Sequence, residues 1–190
     1  MKRLLFVTGR PGIGKTSVLL KAAEGLKVKS CRVGGMISKE VRREGTRIGF
    51  EIIDFGTGMR GWLAHVEQRV GPQVGKYRVN LGDLETIGAN AILEASKNAD
   101  VVIIDEIGPM ELFSQAFRKA VSEALNSSKA VLAAIHHNAR DPIIKAIKNR
   151  DDVLMATVDL ENRNDLHNIL IQNALQYLRE GKRWAEITSC

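Results

Sequence analysis

Arg3-Leu4-Leu5-Phe6-Val7-Thr8-Gly9-Arg10-Pro11-Gly12-Ile13-Gly14-Lys15-Thr16 decides how the rest of the chain is read. Residues 3–8 are a short apolar run ending at a glycine, which reads as a buried strand. Residues 9–16 fit G-x-x-x-x-G-K-[ST] in full, and apolar residues at helical spacing follow at Leu19, Ala22, Ala23 and Leu26. Strand, glycine-rich loop and helix, in that order, are the setting a phosphate-cradling loop requires. The glycines let the backbone curl until successive N–H groups point inward at phosphate oxygens. The helix N-terminus adds partial positive charge. The candidate contacts are Gly9, Arg10, Pro11, Gly12, Ile13, Gly14, Lys15, Thr16 and Ser17. Lys15 would reach the β- and γ-phosphates, and the Thr16 hydroxyl would hold Mg²⁺. A glycine-rich turn without a ligand is the bland alternative.

The next informative stretch is Val101-Val102-Ile103-Ile104-Asp105-Glu106, an apolar strand that delivers two carboxylates at its C-terminal end. Ligands of open α/β sheets sit at that end. Asp105 would complete a Mg²⁺ site with Thr16. Glu106, the next residue, could face the γ-phosphate and orient an attacking water as a catalytic base. Lys15 and Glu106 are therefore the candidate catalytic residues. The competing reading is a strand end that runs into solvent with two charges.

Between and beyond these motifs, strands alternate with helices. Leu84, Ile87, Ala91, Ile92 and Ala95 form a helical face that Asp83 could cap. Phe113, Ala116, Phe117, Ala120, Val121 and Ala124 form a second face. Ala130–Ile135 and Val153–Val158 read as strands. Asp141-Pro142 opens a short helix through Ile147, with proline at its first position. Leu166, Ile169, Leu170, Ala174 and Leu178 form a last helix that Gly181 would stop. Residues 31–80 differ, being rich in Gly, Val, Ile and Arg with turn signals at Glu44-Gly45 and Gly56-Thr57-Gly58, and predict short antiparallel strands. The fold class is α/β, a mainly parallel sheet with helices on both faces and an antiparallel extension from 31–80. One domain over residues 1–190, with an exposed tail at 182–190, is expected.

Composition sets the outer bounds. The chain has 190 residues, 44% hydrophobic and 26% charged, which excludes a mainly disordered or fibrous protein. Its net charge of +6 permits a phosphate-bearing ligand without demanding nucleic acid. No nucleic-acid partner is expected, because aromatic residues are only 5% of the chain and no aromatic-plus-basic signature stands out. No apolar run reaches the roughly 20 residues that span a bilayer, so no membrane partner is expected. The N-terminal apolar run stops after Val7, too short for a secretory signal. Cys31 and Cys190 form no metal-spaced cluster, and a reducing cytoplasm is the simple reading. A monomer or small oligomer is expected.

Three weaker features leave alternatives open. Asp105-Glu106-Ile107-Gly108 fits D-x-x-G, and Asn162-Arg163-Asn164-Asp165 resembles a guanine-reading N-K-x-D with Arg for Lys. Asn162 and Arg163 are thus candidate base contacts, while Asn164 and Asp165 would equally serve as a helix cap. Arg42, Arg43, Arg47 and Arg60 lie in the hairpin-rich segment, and one of them, Arg60 among the candidates, could stabilise transition-state charge. Surface arginines are otherwise merely solvated. His136-His137-Asn138 could sense the γ-phosphate or form an exposed loop, and with His65 and His167 the only other histidines a metal site is not expected there.

The combined pattern resembles the nucleoside-triphosphatase family of thermophilic archaea and bacteria, which includes the vertebrate cancer-related nucleoside triphosphatase. The resemblance runs over about residues 3–180. The phosphate loop at 9–16 belongs to it, as do Glu40-Val41-Arg42, Arg47-Ile48-Gly49-Phe50, Arg60-Gly61 and Val74-Gly75-Lys76-Tyr77. Ile104-Asp105-Glu106-Ile107-Gly108-Pro109-Met110-Glu111-Leu112 and Glu161-Asn162-Arg163-Asn164 complete it, and the long block around Asp105 is the most specific. The resemblance implies a RecA-like P-loop fold and slow hydrolysis of several nucleoside triphosphates (ATP, GTP, CTP, UTP and TTP) to diphosphate and phosphate. It implies little base discrimination, and it assigns water activation to Glu106. A nucleoside or polynucleotide kinase using the same loop, and a GTP-dependent switch, are the alternatives.

Overall fold

The computed structural model describes residues 2–137 and 140–188, with side chains as far as residue 181. The elements run β1 (Leu4–Thr8), α1 (Lys15–Val28), β2 (Val33–Arg43), β3 (Thr46–Asp54), β4 (Arg60–His65), β5 (Gln73–Val74) and β6 (Tyr77–Val79). A helical stretch follows: α2 (Leu81–Asp83), a π-helical turn (Leu84–Ala89) and α3 (Asn90–Asn98). Then come β7 (Val101–Ile107), a 3₁₀ turn (Glu111–Phe113), α4 (Gln115–Asn126), β8 (Ala130–Ile135), α5 (Pro142–Lys148), β9 (Val153–Thr157) and α6 (Leu166–Thr188).

The described strands make one sheet in the order β5-β6-β4-β3-β2-β7-β8-β1-β9. From β2 to β9 the pairings are parallel, and from β2 outward to β5 they are antiparallel. β2 belongs to both halves. Its start, Val33–Met36, lies parallel to Val101–Ile104, and its continuation from Met36 to Arg43 pairs antiparallel with β3. Residues 31–80 therefore hold longer strands than their composition predicts. The reason is that β2 is buried at its start and solvent-facing at its end, so no single period runs along it.

Alternation along β1 builds both cores. Leu4 and Phe6 join Met36, Val102, Ile104 and Phe117 beneath α3, α4 and α5. Leu5 and Val7 join Val18, Leu19, Ile103, Leu132 and Leu170 beneath α1 and α6. Each such side chain, at or near zero exposure, contributes about 1.5–3 kcal/mol by leaving water. Chain direction then brings the C-terminal ends of β1, β7, β8 and β9 to one edge of the sheet. β8 separates the strand that feeds the phosphate loop from the strand that carries Asp105.

Three expected boundaries differ. Asn80, not Asp83, caps the helical stretch by accepting the Asp83 N–H at 3.1 Å. The Asp83 carboxylate instead accepts the Trp62 N–H at 2.7 Å and braces β4. Phe113 lies in the 3₁₀ turn and is 48% exposed, because α4 starts only after Ser114, whose hydroxyl accepts the Phe117 N–H at 3.1 Å. α6 runs through Gly181 to Thr188: a stop there needs a left-handed glycine, and Gly181 is not among the glycines with positive φ. The expected exposure of the 182–190 tail, and Asn138, fall outside the described side chains.

Candidate active site

The phosphate loop leaves β1 at Gly9 and enters α1 at Lys15. Gly9, Gly12 and Gly14 have φ of 146°, 75° and 115°, which a side chain would strain, so the curl of the loop depends on them. Gly14 caps α1 without a side chain, and the first turn of α1 has no acidic residue. Its N–H groups and the helix dipole therefore meet no competing carboxylate from α1 itself. Lys15 is buried and donates to the Gly9 and Arg10 carbonyls at 3.2 and 3.5 Å. The ammonium thus spans the mouth of the loop, where an anion would neutralise it.

Asp105 is 2% exposed and lies on β7 with its carboxylate in a fixed orientation. Its Oδ2 accepts the Ser38 hydroxyl at 2.6 Å and the Ser38 N–H at 3.1 Å. Burial pushes its pKa up, while Ser38, the neighbouring Thr16 hydroxyl and the Lys15 charge favour the ionised form. Its Oδ1 is buried with no hydrogen-bond partner. A buried, unpartnered acceptor beside a hydroxyl fits a small divalent cation that prefers oxygen ligands. Among the described residues no group of three or more His, Cys, Asp or Glu forms a closed metal cage. That suits an ion held by one carboxylate, a hydroxyl and the phosphates themselves.

Glu106 points the other way from the strand and lines a cavity of about 450 Å³. Burial raises its pKa, Asp105 adds to the rise, and Lys15 and His136 oppose it. Its Oε1 is likewise buried without a hydrogen-bond partner. One wall of the cavity is the phosphate loop, from Pro11 through Gly12, Gly14, Lys15, Thr16 and Ser17. The facing wall is apolar: Phe50, Val74, Pro109 and Met110. Glu111 and His136 complete the lining.

The remaining candidates lie apart from this cavity. Gly9 and Ile13 pack below the loop, and Arg10 is exposed beside it. Arg60 is 61% exposed and paired with Glu51 at 3.5 Å, outside the lining. Arg47 donates to Glu40 at 2.9 Å and to the Tyr77 hydroxyl at 2.7 Å, next to the Phe50 ring. Asn162 turns inward, donating to the Thr157 carbonyl at 2.8 Å and accepting the Asp159 N–H at 3.1 Å. Arg163 is exposed on the same loop. That loop abuts the phosphate loop, since the Val158 N–H donates to the Thr8 carbonyl at 2.8 Å.

Sequence reasoning gave no role to Ser38, Glu111, Phe50 or Met110. Ser38 is two residues past the last parallel pair of β2 with β7, Met36 with Ile104, so only strand register reveals it. The blocks Glu40–Arg42, Arg47–Phe50 and Val74–Tyr77 converge: Arg47 joins Glu40, and Phe50 and Tyr77 stack edge-on at 5.3 Å.

A glycine-curled loop after β1, facing a carboxylate pair two strands away at the same sheet edge, defines a P-loop nucleotide-binding protein. Comparison with known proteins narrows the class. A family model described as NTPase matches residues 4–171, and the chain belongs to that family. It is 50% identical to the nucleoside-triphosphatase THEP1 of Thermofilum pendens over 159 residues, 83% of this chain and 87% of the relative. It is 49% identical to that of Methanosarcina acetivorans over 173 residues, 90% and 97% of the two chains. The crystal structure of THEP1 from Aquifex aeolicus superposes with a TM-score of 0.78 at 31% identity, covering 92% of this chain and 99% of that one. The solution structure of a human cancer-related nucleoside triphosphatase gives 0.75 at 38%, covering 90% and 96%.

Proposed function

We propose that the protein hydrolyses the β–γ bond of nucleoside 5′-triphosphates with Mg²⁺, slowly and with broad tolerance of the base. The observation that carries this reading is the pair of buried, unpartnered oxygens, Asp105 Oδ1 and Glu106 Oε1, opposite an open phosphate loop. Thr16 and Asp105 would hold Mg²⁺, which when bound neutralises phosphate charge. Residues 9–17, Pro11 excepted, cradle the phosphates through backbone N–H groups, and Lys15 exchanges its loop carbonyls for phosphate oxygens. Glu106 accepts a proton from the attacking water. Its raised pKa makes it a stronger base than an exposed glutamate. Slow turnover is supported by the lining, which among the described residues holds no arginine to meet transition-state charge.

Base tolerance has its own argument. With the γ-phosphate toward Glu106 on β7, the nucleoside would extend to the other side of β1, toward the 158–163 loop after β9, which strand order places there. There the Asn162 amide is spent on backbone and on Asp159. A base would meet the 69% exposed Leu160 rather than a fixed hydrogen-bonding edge. This weighs against a GTP switch. The apolar wall of Phe50, Val74, Pro109 and Met110 favours one second reading, phosphoryl transfer to an organic hydroxyl.

The test is a phosphate-release panel over ATP, GTP, CTP, UTP and TTP, with and without Mg²⁺. Comparable, Mg²⁺-dependent release from all five is expected. Strong preference for GTP supports the switch, and label moving from ATP to an acceptor faster than to free phosphate supports a kinase.

A further inference from the structure

Two carboxyl groups, Glu106 and Glu111, line the cavity, and hydrolysis as proposed employs only the first of them. The second, Glu111, is 4% exposed. It opens the 3₁₀ turn after β7. The turn is closed by the Leu112 N–H on the Gly108 carbonyl at 3.0 Å and the Ser114 N–H on the Glu111 carbonyl at 3.1 Å. Gly108 lies between the two side chains. A Cβ added there would stand 3.1 Å from Glu111 Oε2 and 3.4 Å from Glu106 Oε1. Both carboxyl groups thus border the space that Gly108, having no side chain, leaves open.

Two adjacent buried carboxylates cannot both ionise cheaply. Burial and the charges of Glu106 and Asp105 push the Glu111 carboxyl up to about 8, against backbone hydrogen bonds from Glu111 itself and from Gly108 that favour its ionised form. The titratable groups around the pair are Asp105 on β7, Lys15 on α1 and His136 beyond β8, with Glu85 of the π-helical turn bonded to Ser114 at 3.2 Å. Glu106 Oε1, meanwhile, is buried and lacks a donor. We propose that Glu111 is a positioning residue: a neutral carboxyl whose O–H donates to Glu106 and holds it in the orientation that meets the attacking water. The proton stays on Glu111 throughout; the proton from water goes to Glu106. A neutral Glu111 also keeps one negative charge out of a site that must admit a triphosphate. This inference rests on the proposed hydrolysis.

The test compares steady-state phosphate release by the wild type, Glu111→Gln, Glu111→Ala, Glu111→Leu and Glu106→Gln, and by Glu111→Ala combined with Glu106→Gln, each with a thermal melt. Glutamine keeps a neutral donor, so Glu111→Gln is expected to lose only about two- to threefold in kcat. Glu111→Ala and the volume-filling Glu111→Leu should lose about tenfold or more in kcat, with KM for ATP within about twofold of wild type. Once Glu106 is already glutamine, Glu111→Ala should cost less than about twofold more. If Glu111→Ala does not fold, Glu111→Leu and Glu111→Gln still decide. Equal losses in the glutamine and leucine variants, wild-type kcat in either non-donor variant, or an undiminished loss in the double variant overturns the inference. No phosphate release by the wild type overturns the hydrolytic reading itself.

Discussion

The Ser38 hydroxyl, on β2, donates at 2.6 Å to Asp105 Oδ2 on the adjacent strand β7, and the Ser38 N–H adds a second bond at 3.1 Å. One oxygen of Asp105 is thereby tied down, while Oδ1 has no hydrogen-bond partner and is the oxygen proposed to meet the cation. Ser38→Ala should cost about 1–2 kcal/mol of stability, because a buried acceptor loses its shorter partner. Removing a group that favours the ionised carboxylate raises the pKa of Asp105 further. The Mg²⁺ concentration at half-maximal activity should rise severalfold, most at acidic pH. A metal titration at two pH values checks this, and an unchanged midpoint would remove Ser38 from the cation site.

Lys15 spans the loop mouth by bonding its own carbonyls. Lys15→Ala should weaken ATP binding by about tenfold or more and lower turnover with it, since the same charge acts on bound substrate and transition state. Calorimetric binding alongside phosphate release reads both. Wild-type affinity with full activity would count against the loop as the phosphate site.

Glu106→Gln keeps shape and loses basicity. It should bind ATP as the wild type does and hydrolyse it at least about tenfold more slowly. Single-turnover measurement separates the chemical step from binding, and unchanged turnover would reassign water activation.

Asn162 organises the loop after β9 through Thr157 and Asp159. Asn162→Ala should raise KM for ATP, GTP, CTP and UTP together, by about threefold, by loosening a surface rather than removing a base-specific bond. A KM that rises for one base alone would restore Asn162 as a base reader.

Glu111 links pH to stability. Its pKa in the folded protein is about 8, against an ordinary value of 4.5. The folded state holds that proton where the unfolded chain has released it. Its contribution is therefore complete below about pH 4.5 and is lost as pH rises toward 8. The melting temperature of metal-free Glu111→Gln should match wild type near pH 5 and exceed it near pH 8. Parallel melting curves across that range would contradict a buried, protonated Glu111.

Much of this was legible in the order of residues. The run 3–16 names a strand, a curled loop and a helix, because glycine and lysine at fixed spacing leave one workable geometry. The strand around Asp105 is legible because four consecutive aliphatic residues precede two charges. Asp83 misled because any Asp before a helical stripe can cap it, and only the fold shows that Asn80 caps while Asp83 braces Trp62. Asn162 reads as a candidate base contact because its neighbours spell a recognition motif, and only the fold shows that its amide also closes a turn. Nothing in the sequence separates Arg60 from Arg42, Arg43 and Arg47, and only the fold pairs it with Glu51.

What the residue order settled alone is local and covalent: which backbone can curl round a phosphate, and which strands end in charge. The pairing of Ser38 with Asp105 and the wall of Phe50, Val74 and Met110 depend on strand register and chain return. Those are long-range choices, made by the burial of two apolar faces at once. No window of neighbouring residues records them, because the groups that meet lie on strands distant in the chain.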